Sequence, residues 1–526
     1  MISPFTLSIK GSKQTGAQGT SLAAAAANAG VCATRTSVTG EPRGPLGGMG
    51  VCYECRSTIN QHPHQRSCMN AAGDGVDHRA DSSNVPPATA HHSQEAACDV
   101  LVIGAGPAGL AAAREAALRG RSVIIIDDNH APGGQIWRRD LRAPQPSRHE
   151  TAARSAGASF LLDRGVVTRL DNGTILAASA DGQTTTTIAF RAIVLATGAS
   201  ERFLPFPGWT LPGVFGAGGI QALCKQGLDV AGKRIVIAGS GPLLLAVGAL
   251  LAARGAEVAA IHEQASWSSV RSMIPALLSR PSKAFQALTA RLRLLGTPYK
   301  TGWWPVRARG DDRVRELVLT DGNREEVIGC DYAACGFGLL PRVRTAALLG
   351  CDIEQGAVRV DSSQCTSIPT IYAAGECTGI GGVGKALVEG RIAGAAAAGD
   401  SSLAHSLANQ RQNELDFARL LDQAFPLREQ LRTMPDDQTI ICRCEDVRLG
   451  DLAHCHSWRD AKLHTRLGMG PCQGTVCGPV VEYLRGWKPA DARPPIMNVP
   501  LGTLLEPGHH QPASLSGSPT QGSTTA

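Results

Sequence analysis

The pattern of apolar and polar positions changes character near residue 98. From there DVLVIG is a short aliphatic run, AGLAAAREAALRG repeats apolar positions at helical spacing, and SVIIID is a second apolar run. That order predicts strand, helix and strand, a βαβ unit on a parallel sheet. RIVIAG, PLLLAVGALLAARG and EVAAIHE repeat it, and TIYAAGECTGIGG before GKALVEGRIAGAAAA gives a third strand-to-helix junction. Upstream, FTLSIKG reads as a strand entering a turn and SLAAAAANAG as a short helix, a small β-rich unit over 1–75. Residues 76–97, polar and without a period, read as a linker. The rest divides into the first part of one nucleotide-binding domain (98–230), a second such domain (231–335), the remainder of the first (336–400), charged connecting helices (401–436), a cysteine-bearing module (437–490) and a disordered tail (491–526). The expected fold class is α/β.

Composition adds mostly exclusions. A net charge of +6 over 526 residues, with no Lys/Arg run, leaves no nucleic-acid footprint. No apolar stretch reaches ~18–20 residues, so no transmembrane segment is expected. MISPFTLSIKGSK has no basic region followed by an apolar core, so it does not read as a secretory signal. The 16 cysteines include metal-ligand spacings, which favours a reducing, cytoplasmic setting over disulfides.

Gly104, Gly106 and Gly109 form GxGxxG between strand and helix, with Pro107 and Ala108 inside it and Asp127–Asp128 closing the next strand. The first Gly permits the turn, the second lets backbone approach a pyrophosphate, and the third lets helix and strand pack closely. The acid after the next strand is spaced to accept from a ribose hydroxyl. The competing reading is a structural turn. Gly239 and Gly241 repeat the motif with Glu263 as the acid, but Leu244 fills the third position. The fold is expected there, with room for a second adenine nucleotide, while bulk at Leu244 argues against NAD(P)H oxidation. IVLATGA (Thr197, Gly198) and YAAGECTGIGG (Gly375, Glu376) are further strands running into Gly turns. Cys224 and Cys335 have no close cysteine neighbour and read as packing thiols.

Two cysteine sets carry the remaining chemistry. Cys442 and Cys444 form CxC, and Cys472 and Cys477 close CQGTVC. Two short-spaced thiolate pairs suit an iron–sulfur cluster, with zinc as the competitor; Cys455 and His456 between them are not read as ligands. Near the N-terminus, Cys52, Cys55 and Cys68 fit C-x4-C-x2-C…C except that the first ligand position is Gly47. A cluster, a labile three-thiolate metal site and a fold kept for docking all remain open; Cys32 is a distant substitute.

GAGPAG, ATGA and AAGE together resemble the two-dinucleotide-binding-domain flavoproteins of glutathione-reductase type. The resemblance implies FAD on the first site and places Glu376, where Asp is usual, on the ribityl chain; the alternative is a carboxylate capping the helix that begins near Gly381. Gly134 and Gln135 lie in GGQIWRR, where one class of disulfide reductases keeps a Cys pair; its absence argues against dithiol chemistry. GMGPCQGTVCGP resembles the [2Fe–2S] domain of the ferredoxins related to bacterioferritin-associated ferredoxin. PLGGMGVCYEC resembles ferredoxin-like subunits whose pattern is PLCGMGVC. From Asp99 to Leu484 the chain resembles α subunits of multi-subunit flavin dehydrogenases: hydrogen cyanide synthase, opine oxidase, and hydroxyproline or proline dehydrogenase. That implies a partner, a D-amino-acid-oxidase-like flavoprotein β subunit, in which the amine is oxidised. Electrons would pass through flavin and clusters here to a quinone or other acceptor, with peripheral association at the inner membrane through a partner. Competing readings are a stand-alone NAD(P)H-dependent flavin or ferredoxin reductase and a non-catalytic scaffold subunit.

Overall fold

The computed structural model describes residues 4–9, 11–80, 92–489 and 492–504. The polar run 81–91 and the tail from 505 onward lie outside the described residues.

The first large sheet has seven strands, in the order Ser159–Leu161, Val123–Ile126, His92–Ile103, Thr184–Leu195, Ile175–Ala178 and Gly165–Arg169, with Ile371–Ala373 also paired to Thr184–Leu195. Strand His92–Ile103 runs parallel to both its neighbours. It starts inside the stretch read as a linker, because His92–Ala97 pairs in register with Thr184–Ala189. Both segments are polar, so neither carried an apolar signal. Helices Pro107–Ala117 and Gly382–Ala397 lie against each other at backbone contact: a Cβ on Gly390 would stand 2.2 Å from Ala108 O, and one on Gly394 2.1 Å from Ala112 O. The Ala/Gly richness of both helices is what permits that approach.

The second sheet is parallel throughout: Val214–Gly216, Tyr332–Phe337, Arg234–Ser240, Glu257–Glu263 and Tyr299–Thr301. Tyr332–Phe337 is buried at every position, as in a sheet covered on both faces. An antiparallel meander, Trp304–Arg309, Glu316–Thr320 and Glu325–Gly329, lies beside it.

The N-terminal unit is a five-stranded sheet, ordered Ser12–Ala17, Pro4–Ile9, Asp77–Ala80, Arg56–Ile59 and His62–Arg66. Its strand Asp77–Ala80 also falls beyond the boundary expected at 75, paired parallel to Pro4–Ile9 and antiparallel to Arg56–Ile59. Helix Leu22–Asn28 starts at Ser21, whose Oγ accepts from Ala24 N–H at 3.3 Å. The C-terminal module is a hairpin, Ile440–Cys442 with Val447–Arg448, followed by helices Trp458–Thr465 and Cys477–Arg485.

One apolar core unites Leu46 and Cys52 of the N-terminal unit, Trp209 and Trp304 from the chain around the second sheet, and Cys442, Trp458 and Val480 of the C-terminal module. Residues 492–504, expected to be part of a disordered tail, instead return to the first sheet: Ile496 N–H donates to Val167 O at 2.9 Å and Thr503 Oγ1 to Gly182 O at 3.3 Å. Val499 and Leu504 pack there on Val167 and Leu176.

Candidate functional site: loops, cavity and paired thiols

The GxGxxG loop is held by backbone contacts that admit no side chain. Gly104 has φ 107°, and a Cβ there would lie 2.3 Å from Ala196 O; on Gly109 it would lie 1.8 Å from Gly104 O. Gly106 caps helix Pro107–Ala117 and faces Gly134, whose own Cβ would meet Gly106 Cα at 2.9 Å. The helix's first N–H groups and its positive end therefore point at open space suited to a phosphate. Asp127 is buried, accepting from Ala105 N–H at 2.6 Å and Asn129 N–H at 2.8 Å. Burial, then the neighbouring Asp128, raises its pKa.

These elements open onto a cavity of about 2120 Å³. Gly104, Gly106, Pro107, Ala108, Asp127 and Asp128 line its nucleotide end, joined by Gly134 and Gln135. Thr197, Gly198 and Glu376 line it too, while Gly109 and Gly375 do not. The same cavity reaches Met49 and Tyr53 beside the N-terminal cysteines and Trp458 and Gln473 in the C-terminal module.

Glu376 both lines the cavity and caps a helix. Its Oε2 accepts from Gly381 N–H at 2.9 Å and its Oε1 from Gly382 N–H at 2.7 Å, at the start of Gly382–Ala397. Behind it stands a polar network that the sequence did not suggest. Lys385 Nζ donates to Gly375 O and Thr378 Oγ1, both at 2.8 Å, and pairs with Glu389 at 2.7 Å, both partners 2% exposed or less. Glu389 also accepts from Gly375 N–H at 3.0 Å and pairs with Arg411 at 3.3 Å. An i,i+4 Lys–Glu pair in a helix otherwise apolar but for Arg391 was the available signal. Glu201 was missed too. It lines the cavity, is 4% exposed, and accepts from Gly218 N–H at 3.0 Å and Gly219 N–H at 3.3 Å. Burial pushes its pKa up to about 7.

The second glycine loop is covered by the chain itself. Gly239 has φ 142° and Gly241 φ 97°, as the motif requires, and Leu244 is buried in the core. The close helix–strand approach moves one turn on, to Gly248, where a Cβ would stand 2.9 Å from Ile261 Cδ1. Glu263 is fully buried, its oxygens taken by Gly241 N–H at 2.7 Å and Ala265 N–H at 2.9 Å, and burial raises its pKa to about 7. Above the loop, Gln264 Nε2 donates to Ser240 Oγ at 3.0 Å and Pro426 O at 2.9 Å, and its Oε1 accepts from Arg428 N–H at 3.2 Å. Residues 425–428 thus lie as a strap across the glycine turn.

In the C-terminal module the thiols meet as two couples. Cys442 and Cys477 share a hydrogen bond, as do Cys444 and Cys472. That contact lowers Cys442 to about 7, helped by N–H groups of Gly468, Glu445 and Cys444; Cys472 is lowered by its bond from Cys444, helped by N–H groups of Val476 and Gly474. Among the described residues no three His, Cys, Asp or Glu side chains converge on a single metal position. The two couples lie within one shell of backbone N–H groups. Cys455 and His456 join neither couple.

The N-terminal cysteines are also gathered. Cys68 N–H donates to Cys55 Sγ at 3.4 Å, and Gly47 and Glu54 supply backbone hydrogen bonds to Cys52. Burial holds the Cys52 thiol up, at about 12. Gly47 stands at the wall of the loop, where a Cβ would lie 3.6 Å from Cys52 Sγ. The loop rests on helix Ala217–Lys225 through glycine: a Cβ on Gly219 would meet Leu46 O at 2.3 Å. Glu54, between Cys52 and Cys55, pairs with Arg35 and with Arg443, each at 2.8 Å; Arg443 lies between Cys442 and Cys444. A fully buried ion pair thus bolts one cysteine loop to the other. Burial acts to raise the Glu54 pKa, but Arg443 and Arg35 outweigh it and lower it. Cys224 and Cys335 are buried in apolar clusters.

Residues 98–401 match the pyridine nucleotide-disulphide oxidoreductase family, and residues 3–83 match a 2Fe-2S iron-sulfur cluster binding domain. Hydrogen cyanide synthase subunit HcnB of Pseudomonas aeruginosa is 30% identical over 421 residues, covering 72% of this chain and 90% of that protein. An opine oxidase subunit of Rhizobium meliloti is 30% identical over 462 residues, covering 78% and 98%. The crystal structure of L-proline dehydrogenase from P. horikoshii superposes with a TM-score of 0.67 at 19% identity, covering 95% of this chain and 97% of that one, a likeness of fold.

Proposed function

Since this chain belongs to the pyridine nucleotide-disulphide oxidoreductase family, and stands there with hydrogen cyanide synthase and opine oxidase subunits, we propose that it is the electron-relay subunit of an FAD-dependent dehydrogenase. The complex oxidises the C–N bond of a small amine, amino acid or imino acid of the opine, hydroxyproline, proline, glycine or sarcosine type. The observation that carries the reading is the single cavity running from the glycine loops to both cysteine modules. A relay needs its centres close together, and this cavity brings the flavin loops beside both cysteine modules.

Gly104, Gly106 and Gly109 would hold the FAD pyrophosphate on the helix Pro107–Ala117, with Asp127 and Asp128 toward the ribose. Glu376, fixed by two backbone N–H groups, keeps lone pairs free for a ribityl hydroxyl. Lys385, tied to Gly375 O and Glu389, holds that turn in place. When bound, a flavin accepts an electron pair and releases it singly. Cys442, Cys444, Cys472 and Cys477 would hold a [2Fe–2S] cluster. Cys52, Cys55 and Cys68 offer a second site one thiolate short.

Apart from such cofactor sites, no acid–base pair for amine chemistry stands out among the described residues, which favours substrate oxidation in a partner, a D-amino-acid-oxidase-like β subunit. A quinone or other acceptor takes the electrons. Stand-alone NAD(P)H oxidation is disfavoured by the strap over the second glycine loop. A cytoplasmic setting suits 16 unbridged cysteines.

The test is anaerobic purification with flavin, iron and acid-labile sulfide analysis, followed by reduction with candidate amines in the presence of the partner. About two irons and two sulfides per chain, with FAD reduced only when the partner is present, support the relay. Zinc without sulfide, or rapid bleaching by NADH alone, overturns it.

A further inference from the structure

The connection between strands Glu257–Glu263 and Tyr299–Thr301 is far longer than a crossover needs. It holds three helices, Trp267–Ser272, Ile274–Leu278 and Pro281–Arg293, and no residue of these helices is buried. Their apolar side chains face outward: Trp267 is 57% exposed, Leu278 73%, Phe285 67%, Leu288 57%, Leu292 52% and Leu295 77%. Phe285, Leu288, Leu292 and Leu295 follow one another at steps of three and four residues. Phe285, Leu288 and Leu292 form one stripe on helix Pro281–Arg293, about 10 Å long at the helical rise, and Leu295 lies in the turn beyond it.

The charge on this excursion is one-sided. Gln264 to Pro298 contains Arg271, Arg280, Lys283, Arg291 and Arg293 and no Asp or Glu. Arg280 and Lys283 fasten the excursion to helix Ala408–Ala424: Arg280 donates to Asn413 O at 2.8 Å, and Lys283 pairs with Glu414 at 3.1 Å and lies over the Phe417 ring. Arg271, Arg291 and Arg293 are exposed, and among the described residues none of them forms an ion pair. The helices are thus held at their base and free on an apolar, cationic outer face.

We propose that this face is a docking surface for an anionic lipid bilayer. The leucine and phenylalanine stripe would enter the acyl boundary, and the arginines would meet lipid phosphates. The exposed cations Arg271, Arg291 and Arg293, with no acid among them, are complementary to lipid headgroups. No helix of the described residues is long and apolar enough to cross a membrane, so the attachment is peripheral. The inference is independent of the redox reading, since lipid binding needs neither flavin nor iron.

The test is co-sedimentation of the purified full-length chain with phosphatidylcholine vesicles, with and without about one-third phosphatidylglycerol. The wild type is expected to bind the anionic vesicles and to be released by salt. Phe285→Asp with Leu292→Asp should weaken binding at least tenfold with an unchanged unfolding midpoint. Val327→Asp, the same change at an exposed apolar strand position, should leave binding unaltered. Wild-type chain that stays in the supernatant with anionic vesicles overturns the proposal. So does equal loss of binding in all variants, or a wild-type dimer that the Phe285/Leu292 variant dissociates without any lipid binding.

Discussion

At Gly47 the backbone already stands where a ligand-bearing Cβ belongs, 3.6 Å from Cys52 Sγ and 3.8 Å from Phe203 Cζ, both ordinary contacts. Gly47→Cys therefore needs no backbone change, and iron and sulfide should each rise by about two per chain. Unchanged contents would mean that the N-terminal loop has lost cluster binding for reasons beyond one ligand. Lys385 is a different case. Lys385→Met leaves Glu389 with Arg411 as its one remaining cation, beside the Gly375 N–H and Thr378 hydroxyl. Losing one partner of such a pair costs about 3–5 kcal/mol, and denaturant unfolding should show it together with weakened flavin retention. Glu201 adds a pH dependence. Its folded pKa of about 7 lies above the ordinary 4.5, so the native state keeps a proton that the unfolded chain releases. Its contribution is present in full below pH 4.5 and is lost as pH rises through about 7, a difference of about 3 kcal/mol. Unfolding midpoints of Glu201→Gln measured from pH 4 to 8 should fall less steeply than those of the wild type; parallel curves would remove Glu201 as the cause. Of these three residues only Gly47 stood out in the sequence. A glycine in a ligand slot was visible as a departure from spacing, but a buried Lys–Glu pair and a desolvated carboxyl become visible only once distant segments meet.

At the scale of elements, what was legible followed from periodicity. DVLVIG, SVIIID, RIVIAG and EVAAIHE are aliphatic because parallel strands are buried on both faces, and each lies in the predicted sheet. His92–Ala97 and Asp77–Ala80 were not legible, since their polar side chains gave no pattern and their pairing partners lie far along the chain. The strap over the second glycine loop was equally hidden. Leu244 pointed to reduced packing at that turn, whereas Gln264, reaching residues 426 and 428, closes it. Gln264→Ala removes the side chain that holds Pro426 O and Arg428 N–H, at about 1–3 kcal/mol. Limited proteolysis should then cut faster between 425 and 436; an unaltered cleavage pattern would mean that the strap is held by its other contacts, among them Arg428 over Trp304.

For the whole molecule, the governing fact is that two cysteine modules at opposite ends of the chain share one core and two buried ion pairs, Glu54–Arg443 and Arg43–Asp446. A double-mutant cycle on Glu54→Gln and Arg443→Met should give a coupling energy above about 1 kcal/mol, because both charges are desolvated. A value near zero would make the bridge incidental. The C-terminal module is also secured on two sides. Before it, Arg428 O accepts from Tyr483 Oη at 2.9 Å, and after it Ile496 N–H reaches Val167 on the flavin-loop sheet. Small electron carriers on free tethers work by swinging between a donor and an acceptor, and their turnover slows in a thick solvent. A module stitched down before and after its cysteines has no arc to travel, so in the proposed relay electrons would cross it by tunnelling over fixed distances, at a rate indifferent to added glycerol.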